Sequence, residues 1–371
     1  MPSAASGQPI AQTHPIPQWQ QSHSAVPACP DTHQEDTMQC FALIQAGLKP
    51  DVRPQVAGWG PPDLQARYNL PSTTNGTGHI VAIVDAFDNP NVASDLAVYR
   101  SQFGLGTANF YKYNQDGEQG NYPQGSPGWG TEIDLDVEMV SASCPLCTIY
   151  LVEANTNSTK NLDIAEKEAV KLGAHIVSNS WGGGQGRPEH HAFSTKGVTY
   201  LASAGDSGYG ITDPADYPDV VSVGGTQLSK SGSPPTYTES TWPGTGGGCS
   251  VVAKPAWQHD ASCSFRTSND VSAVAWGVAI YDTYPSGGWG TVGGTSVSSP
   301  LLAGVFGLSN NYTKQHGGEN FWTQSAKKYA KDLHDITTGA DGQCGSTYLC
   351  KAGPGYDGPT GWGTPNGIAA F

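Results

Sequence analysis

Apolar residues fall in short, nearly continuous runs separated by glycine-rich loops and by stretches of helical period. HIVAIVDAF (79–87), TIYLVEA (148–154), HIVSNSWGG (175–183), VTYLASAGDSG (198–208) and VVSVGGTQL (220–228) each read as a buried strand. Between them VASDLAVYRSQFG (92–104), the stretch from Thr131 to Ser143, and NLDIAEKEAVKLG (161–173), closed by Gly173, read as helices. A further helix begins near Ser296 and runs through LLAGVFGL (301–308), whereas the Gly/Pro-rich residues 115–130 predict a loop. Strands apolar on both faces and alternating with helices predict an α/β fold, a parallel sheet covered by helices on both sides. Chemistry in such sheets gathers where strands end, and Asp85, Trp181 and Asp206 stand at those ends. No internal repeat is present. Residues 1–57, Pro/Gln/Ser-rich with one apolar patch at CFALI (40–44), predict an extended arm tied by Cys29 and Cys40; residues 58–371 predict one catalytic domain.

Composition narrows the setting. The 371 residues include 48 Gly and 27 Pro but only 13% charged residues, a loop-rich globular profile without collagen-like period. Eighteen basic against 32 acidic residues leave a net charge of −14, which argues against nucleic acid and anionic membranes as partners. The acidity fits either plain solubility or work in an acid medium. No apolar run is long enough for a membrane span, and the first residues lack the basic and apolar regions of a signal peptide. The 8 cysteines form four near-neighbour pairs, so four local bridges and an oxidising compartment are expected. Cys144-Pro-Leu-Cys147 precedes a strand rather than a helix, and no second such motif completes a zinc site; a structural bridge is expected there.

The stretch GGTSVSSPLLAG (293–304) delivers Ser296 to the start of a buried helix. A serine needs a base, and none of the 10 histidines is well placed: His79 and His175 stand at strand starts, His190 and His191 in a polar loop. Carboxylates fit better. Glu132 and Asp136 at i, i+4 face the same way, in a helix whose first turn Thr131 or Gly130 would cap. On its own this pair reads more readily as an ordinary match to the helix dipole or a solvated face. A third carboxyl, Asp206 in the Gly-Asp-Ser-Gly turn, can donate a hydrogen bond to an oxyanion if it keeps its proton.

Together, Gly294-Thr295-Ser296 leading to Pro300, Glu132-x-x-x-Asp136 and Ser203-Ala204-Gly205-Asp206-Ser207-Gly208 resemble the sedolisin family, serine-carboxyl peptidases related in fold to subtilisin. Gly246-Gly247-Gly248-Cys249-Ser250, Pro255-Ala256-Trp257-Gln258 and Gly361-Trp362-Gly363-Thr364-Pro365 extend the resemblance over residues 58–371. It implies a subtilisin-like single catalytic domain with Ser296 as nucleophile, Glu132 as base, Asp136 as its orienter and Asp206 as oxyanion donor. It also implies support from Asp85, where sedolisins more often carry glutamate, and from Trp181. Activity on protein or peptide substrates in acid is expected, with the substrate pairing as a strand along Ser180, Gly182 and Gly183; a simple glycine turn is the other reading of that stretch. The tail resembles the family's calcium site, with side chains of Asp335 and Asp357 and carbonyls of Ile336, Gly353 and Gly355 as ligands for one structural Ca2+. Spacing alone leaves calcium loop and plain turn equally open. Sedolisins carry a long folded prodomain for which residues 1–57 are too few, so a processed form or a prodomain-less branch is expected. The protein is expected to be a secreted monomer. Two rivals remain: a catalytically silent peptide- or surface-binding homologue, and a glycosidase working through Glu132.

Overall fold

The computed structural model describes residues 25–30, 36–45, 56–184, 191–284, 286–309, 311, 316–324, 326–345 and 347–371. The remainder of the arm, and His14, His23, His33 and His190, lie outside the described residues. Three short strands belong to the arm: β1 (Ala25–Pro27), β2 (Gln39–Cys40) and β3 (Leu43–Gln45). There follow α1 (Pro61–Arg67), β4 (Ile80–Ala86), α2 (Val92–Phe103), β5 (Asn109–Asn114), α3 (Pro127–Ser143), β6 (Thr148–Ala154), α4 (Thr159–Lys171), β7 (Ile176–Asn179), β8 (Trp181–Gly182) and β9 (Thr199–Ser203). Then come β10 (Val220–Ser231), β11 (Thr236–Thr241), β12 (Gly248–Ala253), β13 (Phe265–Ser268), β14 (Val271–Val274), β15 (Trp276–Asp282), β16 (Gly288–Gly293) and α5 (Thr295–Leu308).

The central sheet runs β11-β10-β9-β7-β4-β6-β5, with β14 also on β10. Its pairs are parallel except β10–β11. Strand alternation sorts its side chains into two layers. Val81, Ile83, Ile149, Leu151, Ile176, Leu201, Val221 and Val223 pack with apolar residues of α3 and α5. Ala82, Val84, Val177, Tyr200, Ala202 and Val220 pack with Leu162, Ala165 and Ala169 of α4. The expected architecture, helices on both faces of a parallel sheet, is what forms. Strands built from less apolar sequence, such as β5 (NFYKYN) and β11 (TYTEST), join its edges.

One expectation is corrected. The helix carrying Glu132 starts at Pro127 behind an N-cap at Ser126, not at Thr131. Proline at the first helical position costs no hydrogen bond and presets φ, so the Pro-Gly stretch opens the helix rather than extending the loop. Glu132 therefore sits in the buried interior of α3, beyond the reach of first-turn dipole effects.

The four bridges join Cys29–Cys40, Cys144–Cys147, Cys249–Cys263 and Cys344–Cys350. Far from lying apart, the described arm is woven into the domain: β3 pairs with β16 and β2 with β8. No helix among the described residues is long and apolar enough to cross a membrane.

Candidate active site

Helix α3 buries four carboxyl side chains, Glu132, Asp134, Asp136 and Glu138, each 0% exposed. At 100° per residue, alternate acids turn to opposite sides of the helix. Asp134 and Glu138 face Asp95 and Asp282, a second acidic group that sequence reading did not single out. Single oxygens of Asp95, Asp134 and Asp282 lie within 4.8 Å of one another, supplied with donors by Thr131, Thr283, Ser286 and Asn89. Glu132 and Asp136 face the other way, toward α5.

Ser296 is the second residue of α5. Gly294 precedes the helix at φ 108°, a conformation that needs glycine. Its Cβ, if present, would stand 1.9 Å from the Phe41 carbonyl oxygen and 2.7 Å from Asp206 Oδ2. Within α5, Pro300 lacks the N–H that would bond the Ser296 carbonyl; the Ser180 hydroxyl, 3.4 Å away, leans on that carbonyl instead. The same hydroxyl donates to Asp136 Oδ1 at 2.8 Å, so Ser180 links the nucleophile's backbone to the carboxyl pair. The Ser296 hydroxyl donates to the Ser180 carbonyl at 3.2 Å and is also among the groups that favour ionised Glu132.

Glu132 Oε2 accepts the Ala42 N–H at 2.7 Å. Glu132 and Asp136 are hydrogen-bonded neighbours, and Glu132 Oε1 and Asp136 Oδ2 receive no other donor; two carboxyls in contact need a proton between them. Burial, then the charge of Asp85, pushes both well above the usual carboxylate range. Asp85, at the end of β4 with neither oxygen partnered, is itself raised by burial to about 8. Trp181 is buried beside it, its indole N–H donating to the Val84 carbonyl at 2.8 Å.

Asp206 reaches the same helix start from the glycine turn that follows β9. Its Oδ1 accepts both the Thr295 N–H and hydroxyl at 2.8 Å, while buried Oδ2 has no partner. Burial raises this carboxyl to about 7, against the pull of Thr295. Thr295 is held in turn by the Ser203 hydroxyl on its carbonyl at 2.9 Å. Sequence reading missed Thr295, although it stands beside the serine. The structure thus brings Ser296, Glu132, Asp136, Asp206, Asp85, Trp181 and Ser180 to one place. Gly182 pairs with Gln39, whereas Gly183 donates to the Asp213 carbonyl at 3.0 Å and takes no part in that pairing.

At the far end, Asp335 and Asp357 lie close enough for the charge of Asp335 to raise Asp357, which burial takes to about 7. Gly353 N–H donates to Asp357 at 3.0 Å and Gly355 N–H to Asp335 at 3.0 Å, so the loop wraps the two carboxyls. Added side chains at Gly353 or Gly355 would meet nothing within 4 Å. Two carboxyls brought together in one loop are hard oxygen donors of the kind calcium takes.

Residues 117–362 match the family model described as the subtilase family. Kumamolisin of Bacillus sp. (strain MN-32) is 30% identical over 83% of this chain and 62% of its own length. Sedolisin of Pseudomonas sp. (strain 101) is 26% identical over 83% of this chain and 60% of its own. The chain thus spans about six-tenths of the length of these relatives. Human tripeptidyl-peptidase 1 is 26% identical over 86% of the chain. Among solved structures, Pseudomonas sedolisin, a serine-carboxyl proteinase complexed with two molecules of pseudo-iodotyrostatin, superposes with a TM-score of 0.71 at 25% identity, over 84% of this chain and 96% of that one.

Proposed function

The chain belongs to the sedolisin branch of the subtilase family, and from that premise we propose that it is an acid-active serine-carboxyl peptidase. In this reading Ser296 attacks the scissile carbonyl and passes its proton to Glu132, which Asp136 orients. Glu132 then gives the proton to the leaving amine, and water repeats the sequence on the ester. Asp206, protonated, and the backbone N–H of Ser296 receive the oxyanion. Asp85 acts at one remove: its burial behind the pair makes separated charge costly, so protons stay shared among the three carboxyls.

The observation that carries the reading is that two buried carboxyls meet at one helix-start serine: the Ser296 hydroxyl favours ionised Glu132, and Asp206 accepts from the adjoining Thr295 while keeping a free oxygen. A glycosidase would leave that serine without a task. The silent-homologue reading predicts that no peptide is cut. Substrates are proteins or peptides, and the four disulfides favour an extracellular, oxidising setting. Calcium at Asp335, Asp357 and the carbonyls of Ile336, Gly353 and Gly355 would tie the tail to the domain; its part is structural.

The test is cleavage of a peptide library from acid to neutral pH. Ser296→Ala is expected to cost about 10⁴-fold or more in kcat, and Glu132→Ala a comparable amount because the two act as a unit. Full activity in Ser296→Ala would sink the assignment.

A further inference from the structure

Behind Glu132 and Asp136 lies a second group of acids that the proposed reaction does not use. Asp95 on α2, Asp134 and Glu138 on α3 and Asp282 at the end of β15 are all buried. Fixed donors hold most of their oxygens. Asp95 accepts from the Thr283 N–H and hydroxyl at 2.8 Å, and Asp282 from the Tyr284 N–H at 2.7 Å and the Thr131 and Ser286 hydroxyls at 2.8 Å. Asp134 Oδ2 accepts from the Asn89 amide at 2.8 Å, and Glu138 Oε2 from the Tyr281 N–H at 3.0 Å. The remaining oxygens, Asp134 Oδ1 and Glu138 Oε1, are buried with no donor, as is the Tyr99 hydroxyl, which the charge of Glu138 reaches. One helical turn separates Asp134 from Glu138, and the charges of Asp134, Asp95 and Asp282 all act on Glu138, so it belongs to the same centre. No lysine, arginine or histidine among the described residues forms an ion pair with any of the four. Lys112, which donates to the Asn89 carbonyl, is taken up by Asp88 and Glu153.

Asp134 and Asp282 are in side-chain contact, which requires a proton or a cation between them. One proton joins one pair; one divalent cation joins the whole group. Oxygens bound to a single calcium stand at most about 5 Å apart, twice its bond length of about 2.3–2.6 Å. Those of Asp95, Asp134 and Asp282 meet that limit, all lying within 4.8 Å of one another. A carboxylate oxygen that already accepts one donor keeps a lone pair for a metal, and the donors fix each carboxyl in place, as the partners of metal-bound carboxylates do. With oxygen alone on offer the site suits a hard cation, and its burial disfavours magnesium, which keeps its waters. A cavity of about 150 Å³ has Thr131, Asp282 and Ser286 in its wall, on the side from which an ion would approach. We propose that Asp95, Asp134, Asp282 and Glu138 form a structural site for a hard divalent cation of calcium's class, separate from the tail loop, which ties α2, α3 and β15 together behind the face of α3 that carries Glu132 and Asp136. The ion takes the place of protons in the cluster, and the inference does not depend on the peptidase reading.

The experiment counts calcium bound by the full chain in equilibrium dialysis. Protons compete with metal for these oxygens, so the count is made near pH 7; in acid the cluster is filled by protons and a chelator reads the tail loop alone. The chain carries Asp335→Asn, a change at an exposed position that removes the tail loop's part in calcium binding. One calcium per chain is expected. Adding Asp134→Asn, which keeps an acceptor for Asn89, is expected to abolish that binding, and Glu138→Gln, which keeps an acceptor for the Tyr281 N–H, to weaken it about tenfold or more. In Asp335→Asn itself, calcium is expected to slow hydrogen exchange of the Thr283 and Tyr284 amides, which donate to Asp95 and Asp282, about tenfold or more. That measurement locates the ion without any change in the cluster, should the cluster variants fail to fold. An Asp335→Asn chain that keeps the wild-type circular dichroism and binds no calcium overturns the proposal and leaves the four acids a proton-sharing group. Binding that survives both cluster substitutions, or protection confined to other amides, places the ion elsewhere and overturns it as well.

Discussion

Asp206 shows how one side chain can set a pH limit. Its Oδ1 is committed to Thr295, so only Oδ2 can face a substrate oxygen, and it can donate only while protonated. Burial holds that proton to about 7, so the proposed oxyanion donor is present in acid and is lost as pH rises through neutrality. In Asp206→Asn the amide donates at every pH. The alkaline limb of kcat/KM is therefore expected to flatten, with kcat lower by about 10²-fold, the usual scale for a weakened oxyanion donor. An alkaline limb unchanged in the variant would assign it to another group. The four residues of the proposed mechanism were legible in the sequence because each sits in a distinctive local context: Ser296 at a Gly-Thr-Ser helix entry, Asp206 in a glycine turn, Glu132 and Asp136 at helical spacing. The pairing of residues 39–44 with β8 and β16 was not, since strand pairing is made by backbone atoms that every residue carries.

At the scale of elements, the site depends on how closely α3 and α5 approach. A Cβ on Gly304 of α5 would fall 1.9 Å from Ser143 Oγ and 3.2 Å from the Val140 carbonyl of α3, so only glycine allows this crossing. That contact, about two helical turns along α5 from Ser296, holds the serine's helix against the helix that carries Glu132. Five strands of the central sheet were readable from their apolar runs, but β5, β11 and β14 were not, and neither was the start of α3, because glycine and proline beside a loop carry the same letters as proline opening a helix. The tail was readable only as a pattern of acids and glycines; its folding around Asp335 and Asp357 depends on tertiary contacts. Were that loop to hold calcium, binding to the folded state alone would raise stability by mass action, about 2.7 kcal/mol at a hundredfold excess over Kd. A chelator is then expected to lower Tm by several degrees, added calcium to restore it, and Asp335→Asn to abolish the response. An identical Tm with and without chelator would return the tail to a plain turn.

For the molecule as a whole, the unusual feature is how many acids are buried without cations. Asp85 and Asp341 are raised to about 8 and Asp206 to about 7, all by burial first, and Glu132, Asp134, Asp136, Glu138 and Glu166 are also pushed upward. A carboxyl that holds its proton more tightly when folded than when unfolded stabilises the fold fully below its unfolded value, 3.8 for aspartate. That contribution drains away as pH rises through the folded value. Asp260, lowered by its hydrogen bonds, and His334, lowered by burial, pull the other way, but they are outnumbered, since burial also raises Asp95, Glu153, Asp216 and Asp357. The fold is therefore expected to be most stable in acid and to lose stability steadily between about pH 4 and about pH 8, opposite to proteins whose acids are paired with cations. Calorimetric Tm across that range, with the disulfides intact and in Ser296→Ala to prevent self-cleavage, measures it directly. A Tm that rises toward neutrality would mean that the buried acids ionise in the folded state at little cost, leaving the acid-adapted core without physical support. A falling Tm would place catalytic and structural carboxyls under one constraint, since the same acid medium that keeps Asp206 protonated keeps the other buried carboxyls neutral.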